Sequence, residues 1–206
     1  MKSEMRHTDV MKSQMLNPEL PRPDSMPQIY LIEGPVGAGK STFATSLATR
    51  VGGVHIALDE WFSRLFSPDR PGTDLMPWYI ERKARLLDHI WNHAQALLAR
   101  GVAPILELGL VHRQSREDLY QRARDAGVDL TVYLLLASRE LRRDRVMRRN
   151  VEKGPTFSMV VPAPFFEMAS DTWEEPDDAE IEENRIEVVT TENDHQTRPT
   201  PGPLRL

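Results

Sequence analysis

The chain has no cysteine. That excludes disulfides, thiolate metal centres and cysteine nucleophiles together, and agrees with a reducing compartment. Long apolar runs are also missing. The longest, Val132 to Ala137, falls far short of the about 20 residues that cross a bilayer. Nor is there an excess of positive charge. Lys plus Arg total 26 against 31 Asp plus Glu, a formal net charge of −5, which argues against a protein that coats nucleic acid without regard to sequence. Residues 1–27 lack the apolar core of a secretion signal, and their acidic residues argue against an organellar transit peptide. These absences lead us to expect a soluble, cytoplasmic protein.

What remains is ordinary globular material: 206 residues, 40% hydrophobic and 28% charged, enough for one domain with loose ends. Pro18, Pro21, Pro23 and Pro27 mark residues 1–27 as a flexible N-terminal arm, and Pro199, Pro201, Gly202 and Pro203 mark 191–206 as a flexible tail. Between them strand and helix signals alternate. Strands are expected at Gln28–Glu33, Val54–Leu58, Val102–Leu108, Leu130–Leu136 and Ile186–Thr190. The strongest helix carries a stripe of Ile80, Ala84, Leu87, Trp91, Ala94 and Leu98, with Asp74 as its cap and Gly101 as its stop. A helix from Ser115 to Ala126 is expected to be capped by Ser115, and Arg139–Asn150 reads as a basic helix. The alternation predicts an α/β fold around a mainly parallel sheet, with helices on both faces.

Gly34-Pro35-Val36-Gly37-Ala38-Gly39-Lys40-Ser41 fits G-x-x-x-x-G-K-[ST] at every position. Gly34 and Gly39 let the backbone curl so that the N–H groups of Val36, Gly37, Ala38 and their neighbours face one anion-sized hollow. The following helix adds its positive dipole end. Lys40 reaches β- and γ-phosphates, the Ser41 hydroxyl suits Mg²⁺, and Thr42 is placed for a further phosphate hydrogen bond. A strand before the motif and a helix after it supply the required context. This is the signature of a nucleoside-triphosphate site, with ATP and Mg²⁺ as expected cofactors.

Binding does not name the reaction. No Asn-Lys-x-Asp guanine reader and no Leu-Ser-Gly-Gly-Gln signature occurs, and the chain after the core is too short for the helical domain of a mechanical ATPase. Small phosphotransferases remain. Asp59, at the carboxyl end of the second strand, is a candidate general base for a substrate hydroxyl or a holder of a magnesium-bound water; capping the next helix is the bland alternative. Glu107, at the end of the third strand, is a candidate to reach Mg²⁺ through water or to bind substrate, or else to cap a helix or pair with an arginine. Arg113 and Arg116 are candidates to clamp an anionic acceptor, with solvated ion pairs as the alternative. Trp61 is near enough to the expected crevice to touch substrate. In the basic helix, Arg142, Arg145 and Arg149 share a face. Arg145 and Arg149 are the first choices for a lid, about residues 142–161, that closes over the nucleotide and stabilises the charge of phosphoryl transfer. A helix merely balanced by the acids near residues 174–183 is the competing reading. His89 and His93 are spaced for a metal pair, but no third ligand is apparent.

On these residues, together with His55-Ile56-Ala57-Leu58-Asp59-Glu60-Trp61 and Leu141 to Asn150, the chain resembles the small P-loop kinases of the zeta-toxin and chloramphenicol-phosphotransferase group, often described as AAA-domain ATP-binding proteins. The resemblance covers residues 28–190. It implies the three-layer P-loop NTPase fold of kinase type, with a parallel five-stranded sheet of order 2-3-1-4-5, and transfer of phosphate from ATP with Mg²⁺ to a hydroxyl of a small molecule. It makes Asp59 the base and Arg145 to Arg149 the lid. Related enzymes place a magnesium-organising aspartate where this chain has Glu107. Polynucleotide 5′-hydroxyl kinases carry Asp-x-x-Arg after the second strand, whereas here Phe62 stands in the place of that arginine and Arg64 comes later, which argues against a nucleic-acid acceptor. A nucleotide-sensing slow ATPase and a toxin-like nucleotide-sugar kinase are the alternatives.

Overall fold

Strand β1 (Ile29–Glu33) is buried along its whole length, as a central strand covered on both faces must be. It is the middle strand of a sheet in the computed structural model, which describes residues 28–154, 157 and 159–191. The expected arm, the tail beyond Thr191 and Pro155 lie outside the described residues. β2 (Val54–Ala57), β3 (Pro104–Glu107), β4 (Leu130–Leu136) and β5 (Glu187–Thr190) complete five strands in the order β2-β3-β1-β4-β5. Every pairing is parallel, with Tyr30 opposite Ile105 on one side and Thr131 on the other. The class and the strand order are those expected.

Parallel neighbours need crossovers, and these are α1 (Lys40–Val51), α2 (Leu58–Leu65), α3 (Leu75–Leu98), α4 (Arg113–Asp125), α5 (Arg139–Glu152), α6 (Ala163–Thr172) and α7 (Asp178–Glu183). The period-two alternation of β1 divides the core. Tyr30 and Ile32 join Ile105, Tyr133 and Leu135 under Ala44 and Leu47 of α1. Ile29 and Leu31 join Leu106, Val132 and Leu134 on the opposite face, under Leu86, Ile90, Trp91 and Ala94 of α3 and Leu119, Tyr120 and Ala123 of α4. Each such leucine, isoleucine or valine contributes about 1.5–3 kcal/mol when fully buried. A smaller cluster of Val146, Val161 and Phe166 fastens α5 to α6, and Val36 of the glycine-rich loop packs against it.

Three local expectations are corrected. Ile80 is 60% exposed, because the buried face of α3 runs through Leu86, Ile90, Trp91 and Ala94 and begins only at Leu86, nearly two turns further on. Asp74 takes a left-handed conformation, φ 55°, and makes no capping bond. α4 begins at Arg113 with His112 in the cap position, so Ser115 lies inside the helix.

Candidate functional site

The carboxyl ends of β1, β3 and β2 and the helix starts that follow them meet at one rim of the sheet. After β1 the chain turns through Gly34, φ 141°, where a Cβ would lie 2.4 Å from the carbonyl oxygen of Leu135. At Gly37, φ 82°, a Cβ would lie 2.6 Å from the carbonyl oxygen of Arg142. The loop is therefore clamped between β4 and α5, and no side chain fits at either place. Gly39 precedes α1 and no side chain caps that helix. The first-turn N–H groups of α1, from Lys40 to Thr42, have no acceptor inside the helix, an anion-binding arrangement. Lys40 Nζ arches across the loop and donates to the carbonyls of Gly34, 2.8 Å, and Pro35, 3.0 Å.

Side chains brace this loop from behind. Arg142 donates to the carbonyls of Val36, 3.0 Å, and Ala137, 3.2 Å, and to Ser170 Oγ, 3.1 Å. Arg145 donates to Thr191 Oγ1, 3.0 Å, and to the Thr191 carbonyl, 2.5 Å. Thr191 Oγ1 in turn donates to the Ala38 carbonyl at 2.9 Å. Thr191, read from the sequence as the first residue of a loose tail, is thus ordered and extends the line of β5, its N–H bonded to the Leu136 carbonyl.

The acids converge beside the loop. Ser41 Oγ donates to Glu107 Oε1 at 3.0 Å, and His55 Nε2 lies 3.1 Å from Glu107 Oε2. Burial alone would raise the Glu107 carboxyl; the His55 hydrogen bond, the charge of Lys40 and the bond from Ser41 outweigh it and hold the group below its ordinary value. Asp59, in the first turn of α2, opens to solvent yet is densely walled. Its carboxyl is pushed up, first by burial and next by Glu107, with Lys40, Lys83 and Arg149 opposing. Lys83 and Arg149 are each pushed down by burial and pulled back up by Asp59, Lys83 also by Glu33 and Arg149 by Glu107. Lys83 Nζ donates to the Gly109 carbonyl at 3.2 Å. Burial pushes the Tyr79 hydroxyl up to about 12, with Asp59 adding to it.

Of the residues expected at the site, the loop residues Gly34 to Thr42, Asp59, Glu107 and Arg149 come together. The others do not. Arg116 is wholly buried in a two-pronged ion pair with Glu180, 2.6 and 2.9 Å, and is corrected from substrate clamp to core residue. Arg113 is likewise engaged on the surface, with Asp177 and through its own N–H with Glu174. Trp61 projects about 200° around α2 from Asp59; its ring lies 5.8 Å from that of His93 and 6.4 Å from that of His89, so it packs on α3. Among the described residues no cluster of three or more His, Cys, Asp or Glu side chains is arranged to hold a metal ion. Mg²⁺ needs none, since it binds through one or two protein oxygens and substrate phosphates. Ser41, its hydrogen spent on Glu107, fits that need.

The sequence reading passed over His55, Lys83 and Glu33. Lys83 lies one turn after Tyr79 in α3, a spacing that would have put both on one face. Glu33 closes β1 immediately before the loop. It is 1% exposed and neither carboxyl oxygen has a hydrogen-bond partner. Burial pushes it up to about 8, against the charges of Lys40, Arg116 and Lys83.

The AAA domain family matches residues 29–163, more than half of the chain. The chain belongs to that family. Among solved structures it is similar to a gluconokinase from Sinorhizobium meliloti, at 22% identity and TM-score 0.50 over 80% of this chain and 83% of that one. It is similar to Kti12 of Chaetomium thermophilum in complex with ADP-AlF3, at 18% identity and TM-score 0.59 over 82% and 93%. A chain of the Pnkp1/Rnl/Hen1 RNA repair complex aligns at 21% identity and TM-score 0.54 over 71% of this chain and 44% of that one. These likenesses establish the fold of a kinase-like P-loop domain. Because an RNA repair complex shares it, the fold does not separate small-molecule from nucleic-acid acceptors. No curated protein matches the chain. No helix among the described residues is long and apolar enough to cross a membrane.

Proposed function

We propose that this chain is an ATP-dependent kinase that moves the γ-phosphoryl group of ATP to a hydroxyl of a small molecule, in the manner of the zeta-toxin and chloramphenicol-phosphotransferase group that it resembles. The observation that carries the reading is the convergence of the phosphate loop with Asp59, Lys83 and Arg149 at one rim of the sheet. In this arrangement the loop amides and Lys40 hold the polyphosphate, and Thr42 adds a hydrogen bond. Ser41 and, through water, Glu107 are the residues that would hold Mg²⁺, which when bound neutralises charge on the β- and γ-phosphates.

Asp59 is the group that takes the proton. As the acceptor oxygen attacks the γ-phosphorus, its hydrogen passes to the Asp59 carboxylate and the bridging oxygen leaves with ADP. Arg149, partly desolvated and within the electrostatic reach of Asp59 and Glu107, stabilises the negative charge that gathers on the transferred group. Arg145 holds the loop to the sheet from behind. The −5 net charge supports a small acceptor over a nucleic acid.

A coupled assay of ADP release with ATP and a set of sugars, nucleosides and hydroxylated antibiotics tests this. With a turned-over acceptor, Asp59→Asn lowers kcat by about 10²–10⁴-fold and leaves ADP binding intact. Unchanged turnover in that variant would remove Asp59 from the reaction.

A further inference from the structure

We propose that His55 is a positioning residue of the cation site: acting through Glu107, it fixes the direction in which the Ser41 hydroxyl points. This rests on the reading of the site as one for a magnesium nucleotide, and nothing in that reading requires a histidine on the neighbouring strand.

The sheet itself builds the arrangement. Parallel pairing sets Ala57 opposite Glu107 and His55 opposite Ile105. Residues so paired share a face, and it is the face on which Ile105 packs beneath α1. His55 therefore stands one pleat behind Glu107 on the side that α1 covers, and α1 begins with Lys40 and Ser41 directly above. The Glu107 carboxylate bridges the two: Oε1 accepts from Ser41 Oγ at 3.0 Å and Oε2 meets His55 Nε2 at 3.1 Å. The side chains of His55 and Glu107 are only 19% and 14% exposed, so water competes little for either bond.

Hydrogen bookkeeping then fixes the direction. An ionised carboxylate has no hydrogen to give, so His55 must present Nε2–H and Ser41 must spend its only hydrogen on Oε1. With both oxygens held, Glu107 cannot rotate, and the Ser41 oxygen is left with its lone pairs turned away from Glu107, at the uncapped start of α1. This also explains a glutamate at position 107. An aspartate, shorter by one carbon–carbon bond or about 1.5 Å, would draw both oxygens back from donors that now lie at 3.0 and 3.1 Å. The connectivity excludes a nucleophile relay, because the Ser41 hydrogen goes to a carboxylate and not to the imidazole.

The test is calorimetric titration of ADP into the full chain in EDTA and across a range of Mg²⁺ concentrations, for the wild type, His55→Leu and His55→Gln. Loss of such an outer partner lowers metal affinity by about 10–100-fold. His55→Leu is expected to raise by that factor the Mg²⁺ concentration that half-maximally tightens ADP binding, with affinity in EDTA unchanged. His55→Gln, whose amide offers an N–H at similar reach, is expected to recover most of it. Should leucine not be accommodated, His55→Ala removes the same donor without filling the space. A Mg²⁺ dependence in the Leu or Ala variant equal to the wild type overturns the inference, as does an equal loss of ADP affinity with and without Mg²⁺, which would mark simple loosening. A wild-type chain that binds ADP with no response to Mg²⁺ overturns the cation site itself, and one that binds no ADP overturns the nucleotide reading as well.

Discussion

Glu33 and Asp59 are both carboxyls raised by burial, but only Asp59 opens to solvent. Glu33 is sealed beneath the loop, and its ionisation opposes folding. A carboxyl raised to about 8 in the folded chain contributes stability that is complete below its unfolded value and is lost as pH rises through 8. Over that window the loss is on the order of 4 kcal/mol. Denaturant unfolding between pH 5 and 9 should show it, and Glu33→Gln should flatten the difference; parallel curves would mean that Glu33 does not titrate there. Lys40→Met should abolish the rise in melting temperature that Mg·ADP produces. The residues of the loop were legible because their chemistry is written in adjacent positions. His55, Lys83 and Glu33 were not, since what makes each of them notable is a partner brought from another strand or helix. Arg116 was misread for the same reason: a basic residue in a polar helix looks available to a substrate until Glu180, 64 residues further along the chain, is seen to bury it.

Helix α5 shows one element dividing its work. Arg142 and Arg145 face back to the loop and the sheet edge, whereas Arg149, a turn beyond Arg145, lies in the field of Asp59 and Glu107. Arg149→Met should lower kcat by about 10²–10³-fold with little effect on the melting temperature, and Arg145→Met should do the reverse, lowering the melting temperature more than kcat. Equal effects of the two in steady-state kinetics would dissolve the distinction. At the other side of the sheet, α7 is held to α4 by Arg116 and Glu180, whose side chains are 0% and 2% exposed. Glu180→Gln leaves a buried guanidinium without its counter-charge and should cost about 3–5 kcal/mol in denaturant unfolding. Element positions were readable from apolar periodicity and turn residues. The start of the basic helix at Arg139 was readable too, but the caps of α3 and α4 were not, because Asp74 and Ser115 have the chemistry of caps without the backbone geometry that capping requires.

For the whole molecule, the strand order followed from resemblance once alternating strands and helices had fixed the α/β class, whereas the division of the core into two faces came only with the structure, since β1 is apolar on both sides. Ligand binding at the rim should stabilise the entire domain. At a hundredfold excess over Kd, Mg·ADP adds about 2.7 kcal/mol, or about 5–10 °C for a domain of this size.

That rim is also assembled from chain that is distant in order of synthesis. Thr191 ties the Ala38 carbonyl, the Leu136 carbonyl and Arg145 together, so the loop at residues 34–42 acquires its last support only after about 150 further residues have left the ribosome, a delay of about 8–30 s at ordinary elongation rates. A nascent chain therefore passes through a long interval in which it carries the complete glycine-rich motif without the Thr191 bonds that brace it.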